Sequence, residues 1–208
     1  VAFVTKGRIP ERHRNLLAAH APLVQGRIGL ITLDPGIAAA FEPHAAMPEV
    51  RLAQAAELIG AGIPVEARLD PILPGVTDGA DCLEPLCAAL AGIGVRRIAA
   101  SVLFLRPAVT GSLRRGVEDK RMLNRMLDRF AGCKPLAIHA GNSRVLAMSA
   151  SARLEIMERL KSIAHRYGQE VLVCACKNPD ISSGSCHISG RWLPMAPEGK
   201  QLGLLPIA

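Results

Sequence analysis

Short apolar runs of strand character alternate along this chain with longer segments of helical periodicity, and that alternation constrains the fold more than any other feature. Residues 1–5, 26–32, 63–69, 95–105, 136–139 and 170–174 read as strands. Between them, residues 10–21 read as a helix with Pro10 at its start, where a missing N–H costs little. Residues 48–61 place Leu52, Ala55, Ala56 and Ile59 on one helical face. Residues 80–91 do the same with Leu83, Leu86, Cys87 and Leu90. A long helix is expected over 113–130, with Leu113, Val117, Leu123, Met126, Leu127 and Phe130 inward and Arg114, Arg121, Arg125 and Arg129 outward. The last helix, 150–167, buries Ile156, Met157, Leu160 and Ile163, takes Ser149 or Ser151 as its cap, and stops at Gly168.

This pattern predicts an α/β protein with about six parallel strands. A partial (β/α) barrel is the natural form and an open doubly wound sheet the alternative, since periodicity does not say how such a sheet closes. Residues 1–173 are assigned to the barrel-like unit, and residues 174–208 to an irregular tail rich in Cys, Gly and Pro that packs on or near it.

With half of its 208 residues hydrophobic, the chain can bury a sizeable core. Its apolar runs are too short and too interrupted to span a bilayer, and no charged-then-apolar signal segment opens the sequence, so no membrane association and a cytoplasmic location are expected. Val1 sits at once inside a strand-like run, which suggests the carboxyl-terminal portion of a longer protein. The formal charge of +7 biases the surface toward anionic partners such as nucleotides or nucleic acid. Aromatics make up only 3% of the chain, which argues against a broad platform for stacking single-stranded bases. Six cysteines without a secretory signal point to thiols, metal ligands or buried side chains rather than to disulfides.

Polar residues recur where the strands end: Thr5-Lys6-Gly7, Thr32-Leu33-Asp34, Arg68-Leu69-Asp70, Arg106-Pro107, His139 and Cys174-Ala175-Cys176-Lys177. Active sites of β/α folds are built at those ends. After Asp70, Pro71 and Pro74 hold the preceding residues extended, so neither Asp70 nor Leu73 starts a helix. An open, proline-stiffened loop with Arg68 and Asp70 at its mouth is expected.

The ordered series Thr5-Lys6-Gly7, Thr32, Glu42-Pro43, Arg51-Leu52 and Gly62-Ile63-Pro64-Val65, leading into Arg68-Leu69-Asp70-Pro71-Ile72-Leu73-Pro74-Gly75, resembles the radical S-adenosylmethionine family. More narrowly, it resembles the branch that includes spore photoproduct lyase and proteins labelled DNA repair photolyases. The resemblance implies a partial or complete barrel and a [4Fe–4S] cluster that reduces S-adenosylmethionine to methionine and a 5′-deoxyadenosyl radical, which takes a hydrogen atom from the substrate. It implies that Lys6 lies near the cofactor's carboxylate, that Thr32 supplies a hydroxyl on the next strand, and that Arg68 and Asp70 lie near its polar groups. Nucleic acid is a candidate substrate, and the parent enzyme would need an external electron donor. The family's Cys-x-x-x-Cys-x-x-Cys motif is absent from these residues, as is the glycine-rich segment expected after it. The chain alone is therefore expected not to assemble the catalytic cluster.

Near the end, Cys174, Cys176, Cys186 and His187 form a second constellation. Alternation sends Cys174 and Cys176 to one face, and the Gly/Ser-rich loop through Gly184 can return Cys186 and His187 toward them. Such a set suits zinc or an auxiliary iron–sulfur cluster, although structural zinc more often uses Cys-x-x-Cys. The alternative is a buried Cys174 beside two thiols. These residues support a rival reading as a non-catalytic metal-binding module. The arginines of 113–130 support another, a nucleic-acid-binding domain, against the simpler reading of a solvated face interrupted by Glu118, Asp119 and Asp128. Cys82 and Cys87 read as core residues, Cys133 is isolated, and His139 reads as a strand-end hydrogen-bonding residue. His13, His20, His44 and His165 have no ligand spacing.

Overall fold

A computed structural model describes residues 1–138, 143–175 and 177–184. Seven α-helices lie among them, with five strands in one parallel sheet and a separate two-stranded hairpin. The strands of the main sheet are β1 (Ala2–Thr5), β2 (Gln25–Gly29), β3 (Val65–Ile72), β4 (Arg97–Val102) and β7 (Glu170–Val173). Their spatial order is β1-β2-β3-β4-β7, and every neighbouring pair is parallel. The order advances without the reversal that marks the switch point of a doubly wound sheet.

The sixth expected strand leaves this sheet. β5 (Pro135–Ile138) pairs antiparallel with β6 (Ser143–Leu146), a strand not anticipated from the sequence, so the parallel sheet has five strands rather than six. His139 lies outside the described residues.

Three helices follow the sequence pattern closely: α1 (Glu11–Ala19), α4 (Ala80–Gly92) and α7 (Ala150–Arg166). Ser149 caps α7 by accepting a hydrogen bond from the Ala152 amide at 3.2 Å. α3 (Pro48–Gly60) also forms, but its buried stripe is Arg51, Gln54, Ala55 and Leu58 rather than the purely apolar face expected. α2 (Pro35–Phe41) occupies a stretch expected to be loop. Asp34 supplies its cap by accepting from the Ile37 amide at 2.9 Å, and Pro35 suits the first turn.

The long helix expected over 113–130 is two helices, α5 (Pro107–Gly116) and α6 (Lys120–Asp128). Asp119 starts the second by accepting from the amides of Arg121 and Met122, while Val117 turns into the core between them. A cap at that point satisfies amides that a continuous helix would bond internally, so the chain breaks there.

The two faces of the main sheet differ chemically. On β3, Ala67 and Leu69 join the main core with Ile98, Ala100 and Val102 of β4 and the buried sides of α4 and α7. Glu66, Arg68 and Asp70 alternate to the other face. Register places Arg27 beside Glu66, Gly29 beside Arg68, and Arg97 beside Glu170. A parallel sheet usually reads as apolar on both faces. Here one face carries a row of charges, with Arg27, Glu66 and Arg68 all buried.

Candidate functional site

The charged face leads to the carboxyl ends of β1, β2 and β3. Lys6, the residue after β1, reaches across the end of β2, donating from Nζ to the Asp70 carbonyl at 3.1 Å and pairing with Glu42 Oε1 at 2.7 Å. Gly29 makes that path possible: a Cβ there would stand 2.6 Å from Lys6 Cγ and 2.9 Å from Cε. The other Glu42 oxygen receives the Arg51 guanidinium at 2.6 Å, and the same Arg51 nitrogen donates to the Gly29 carbonyl at 2.9 Å. Glu42 and Arg51 therefore fix the end of β2 and the start of the Lys6 path together. They account for Arg51 in the polar stripe on α3, and Gln54 beside it bonds the Ile9 amide and the Gly7 carbonyl.

Asp70 stands at the centre. Arg68 NH2 lies 3.2 Å from Asp70 Oδ2, and Lys177 Nζ lies 2.7 Å from Oδ1 and 2.6 Å from Oδ2. β1 and β7 are the two edges of the sheet and β3 its middle strand. Lysines following both edges thus meet at one residue of the central strand. Neighbouring strands lie about 4.8 Å apart, so each lysine crosses an intervening strand end, on the charged face.

The loop after Asp70 differs from expectation. β3 continues through a cis Asp70–Pro71 peptide to Ile72, with an irregularity in its register against β4 between Leu69 and Ile72. Beyond it the chain closes on itself: Thr77 Oγ1 accepts from the Leu73 amide, Asp78 Oδ1 accepts from Gly75, and Gly75 takes a positive φ of 72°. The prolines do keep Asp70 extended, but the following turn is tightly bonded rather than held open. The opening lies to the other side, a cleft of about 330 Å³ whose lining includes Asp70, Pro71, Phe104, Arg106 and Lys177.

Thr32 is buried beyond the end of β2, where its Oγ1 accepts from the Asp34 amide at 3.0 Å and so supports the cap of α2. Of the four residues expected to bind a cofactor, Lys6, Arg68 and Asp70 form one connected network. Thr32 lies outside the hydrogen bonds of that network. Glu42 and Lys177 belong to it as well, although neither is among the four residues expected to bind a cofactor. Lys177 had one legible sign: like Lys6, it is a lysine just past the end of a strand.

Deeper on the same face, burial pushes the Glu66 carboxyl up to about 7, against the opposing pull of Arg27, Arg68 and Arg97. Arg27 Nε is 4.0 Å from Glu66 Oε1, an ion-pair distance longer than a hydrogen bond.

At the far end of the chain, Cys174 is buried at the end of β7, and Gly184 does return to pair with it as a parallel bridge. Cys176, Cys186 and His187 lie outside the described residues. Among the described residues, no three His, Cys, Asp or Glu side chains gather as a metal-ligand set. Cys87 is buried in the core, where burial pushes its thiol up to about 11; Cys82, expected there too, is half-buried near the start of α4, outside that core, and donates to the Val76 carbonyl. Arg114, Arg121, Arg125 and Arg129 are exposed. Among the described residues, no helix is long and apolar enough to cross a membrane.

Fold and site together define an α/β protein with an unreversed parallel sheet and a charged constellation at its strand carboxyl ends. The same fold occurs in spore photoproduct lyase. A cysteine-to-serine form of that enzyme matches 82% of this chain and 49% of its own length, with a TM-score of 0.57 and 16% identity. A cysteine-to-alanine form with dinucleoside spore photoproduct matches 82% of this chain and 50% of its own, with a TM-score of 0.59 and 17% identity. No family model matches the chain. Uncharacterized proteins of Mycobacterium bovis and Mycobacterium tuberculosis are 27% identical over 113 residues, which is 53% of this chain and 33% of theirs. The chain spans about half the length of the solved structures it matches and a third of the curated relatives.

Proposed function

We propose that this chain is the carboxyl-terminal portion of a radical S-adenosylmethionine enzyme and that its sheet forms part of a β/α barrel. The observation that carries the reading is the meeting of Lys6 and Lys177 at Asp70, from the two edges of an unreversed parallel sheet. The likeness of the fold to spore photoproduct lyase supports it.

The described residues do not fit an iron–sulfur cluster. Cys82 and Cys87 share α4, Cys133 follows α6, and Cys174 follows β7, with no ligand set among them. The reading therefore assigns the cluster ligands to the remainder of a longer parent. Residues at the strand ends do suit the polar groups of S-adenosylmethionine. An ammonium has three donors, and Lys6, which pairs with Glu42 by charge and donates to the Asp70 carbonyl, keeps donor capacity for the cofactor's carboxylate. Thr32 accepts from Asp34 and keeps its own hydroxyl proton to donate. Arg68 and Asp70 supply a donor and an acceptor beside the cleft.

In the parent, the cluster would supply the electron that cleaves the cofactor, with an external protein donor behind it. The residues of this chain would bind and orient the cofactor. Nucleic acid is the substrate class proposed first, because the matched lyase structure holds a dinucleoside photoproduct. The test is anaerobic expression of the full-length parent, reconstitution, and measurement of iron–sulfur absorbance and of methionine and 5′-deoxyadenosine formation under reduction. A reconstituted parent with neither property overturns the proposal.

A further inference from the structure

On the other side of Arg106 from the Asp70 cleft lies an open cleft of about 670 Å³, between α5 and the β5–β6 hairpin. Three arginines line it, Arg106, Arg114 and Arg144, and no carboxylate does. Its shape follows from local structure. Pro107, Thr110, Gly111 and Arg114 recur at helical spacing and form one stripe of α5. Gly111 contributes no side chain to that stripe. Across the cleft, Leu105 and Leu146 exchange backbone hydrogen bonds at 2.9 Å, which pins the Arg106 segment against β6. Arg144 and Leu146, two apart on β6, project to the same side.

Most guanidinium groups beside carboxylates in this protein are spent on them: Arg51 on Glu42, Arg68 on Asp70, Arg153 on Asp180 and Arg166 on Glu84. Arg114 and Arg144 are exposed and take part in no ion pair among the described residues. Holding the like charges of Arg114 and Arg144 around one cleft is unfavourable unless something neutralises them. Guanidinium forks match the oxygens of a phosphate group, and several forks on one phosphate give charge-assisted, directional bonds. Leu105, Pro107 and Leu146 add an apolar floor that inorganic phosphate would not use. The volume falls within the range of roughly 300–1,000 Å³ typical of small-molecule sites. No aromatic side chain lines the cleft, so it offers bases no stacking surface.

We infer that this cleft binds a small organic phosphate, its phosphate held by Arg114 and Arg144 and its apolar body resting on Leu105, Pro107 and Leu146. The inference does not depend on the radical chemistry proposed above, and its test involves no turnover.

Calorimetric titration of the full chain with phenyl phosphate and with inorganic phosphate tests it. Saturable binding is expected, tighter for phenyl phosphate, and weakened about tenfold or more in Arg114→Glu and in Arg144→Glu, because each reverses a charge at the phosphate. Circular dichroism checks the fold of each variant, and Arg114→Gln with Arg144→Gln serves if charge reversal prevents folding. Absence of saturable binding overturns the inference, as does unchanged affinity in the double variant. Equal affinity for the two phosphates removes the organic ligand from it. A short single-stranded oligonucleotide that binds where phenyl phosphate does not would make the cleft a nucleic-acid contact instead, and overturn it too.

Discussion

Lys177, four residues past the end of β7, places its ammonium 2.7 and 2.6 Å from the two carboxylate oxygens of Asp70, in the middle strand of the sheet. The same aspartate is held by Arg68 through its side chain and by Lys6 through its carbonyl. One carboxylate thus balances cations from β3 and β7, while the Lys6 charge from β1 is paired with Glu42.

That imbalance predicts an asymmetry. Asp70→Asn leaves Arg68 and Lys177 without their shared carboxylate and should cost about 2–4 kcal/mol, whereas Lys177→Met removes a partly exposed partner and should cost about 1 kcal/mol or less. Urea denaturation of both single variants and the double variant measures this. A larger loss for Lys177→Met than for Asp70→Asn would contradict the central role of Asp70.

Arg51 makes its case through burial. It is 1% exposed and rests on Glu42 and the Gly29 carbonyl, so Glu42→Gln strands a buried cation and should destabilise by about 3–5 kcal/mol. Thermal melting would reveal a shift of only a degree or two if the pair were dispensable.

Gly29 offers a test of the site apart from the fold. A methyl group at this position meets the flexible chain of Lys6 rather than backbone, so Gly29→Ala should keep the fold while pushing Lys6 from Glu42 and the Asp70 carbonyl. Under the proposed function, the reconstituted parent with Gly29→Ala should bind S-adenosylmethionine about tenfold more weakly, one lost charge-assisted contact, with an unchanged circular dichroism spectrum. Undiminished affinity would remove Lys6 from the cofactor site.

Glu66 should give stability a pH slope. Its carboxyl titrates near 7 when folded and near 4.5 otherwise, because burial disfavours the charged form. The folded state therefore holds the extra proton between those values, and the Glu66 contribution is full below about 4.5 and lost as pH rises through 7. Unfolding free energies at several pH values from 5 to 8 should fall along this course in the native chain and lose that component in Glu66→Gln. An identical slope in both would assign the titration elsewhere.

Sequence periodicity located most elements, and its failures have identifiable causes. α2 was hidden because it is only seven residues long and contains Pro35 and Gly36, so its cap at Asp34 was the only strong sign. α5 and α6 merged in the pattern because the apolar spacing runs through Val117, and the break depends on which amides Asp119 captures. The stripe of α3 is less apolar than its spacing predicts: Arg51 and Gln54 are buried because Glu42, Ile9 and two backbone carbonyls bond them. The site was half legible. Lys6, Arg68 and Asp70 stood out as polar residues at strand ends, while Glu42 and Lys177 joined them only through contacts 36 and 107 residues apart in sequence, the separations being 42 − 6 and 177 − 70.

By itself, the sequence determined the α/β class, the positions of the five parallel strands and the chemistry gathered at their ends, because alternation, helical spacing and proline restriction are local effects. Only the tertiary structure decided that five strands share the parallel sheet, that β5 turns aside to pair with β6, and that Lys6 and Lys177 meet at Asp70. Strand partners and ion pairs are long-range matters: many segments satisfy the same local rules, and packing selects among them. The proline-rich stretch after Asp70 draws on both. Proline holds Asp70 extended locally, whereas the residues that meet its carboxylate, Arg68 two positions before it and Lys177 from the far edge, are brought there by the fold of the whole sheet.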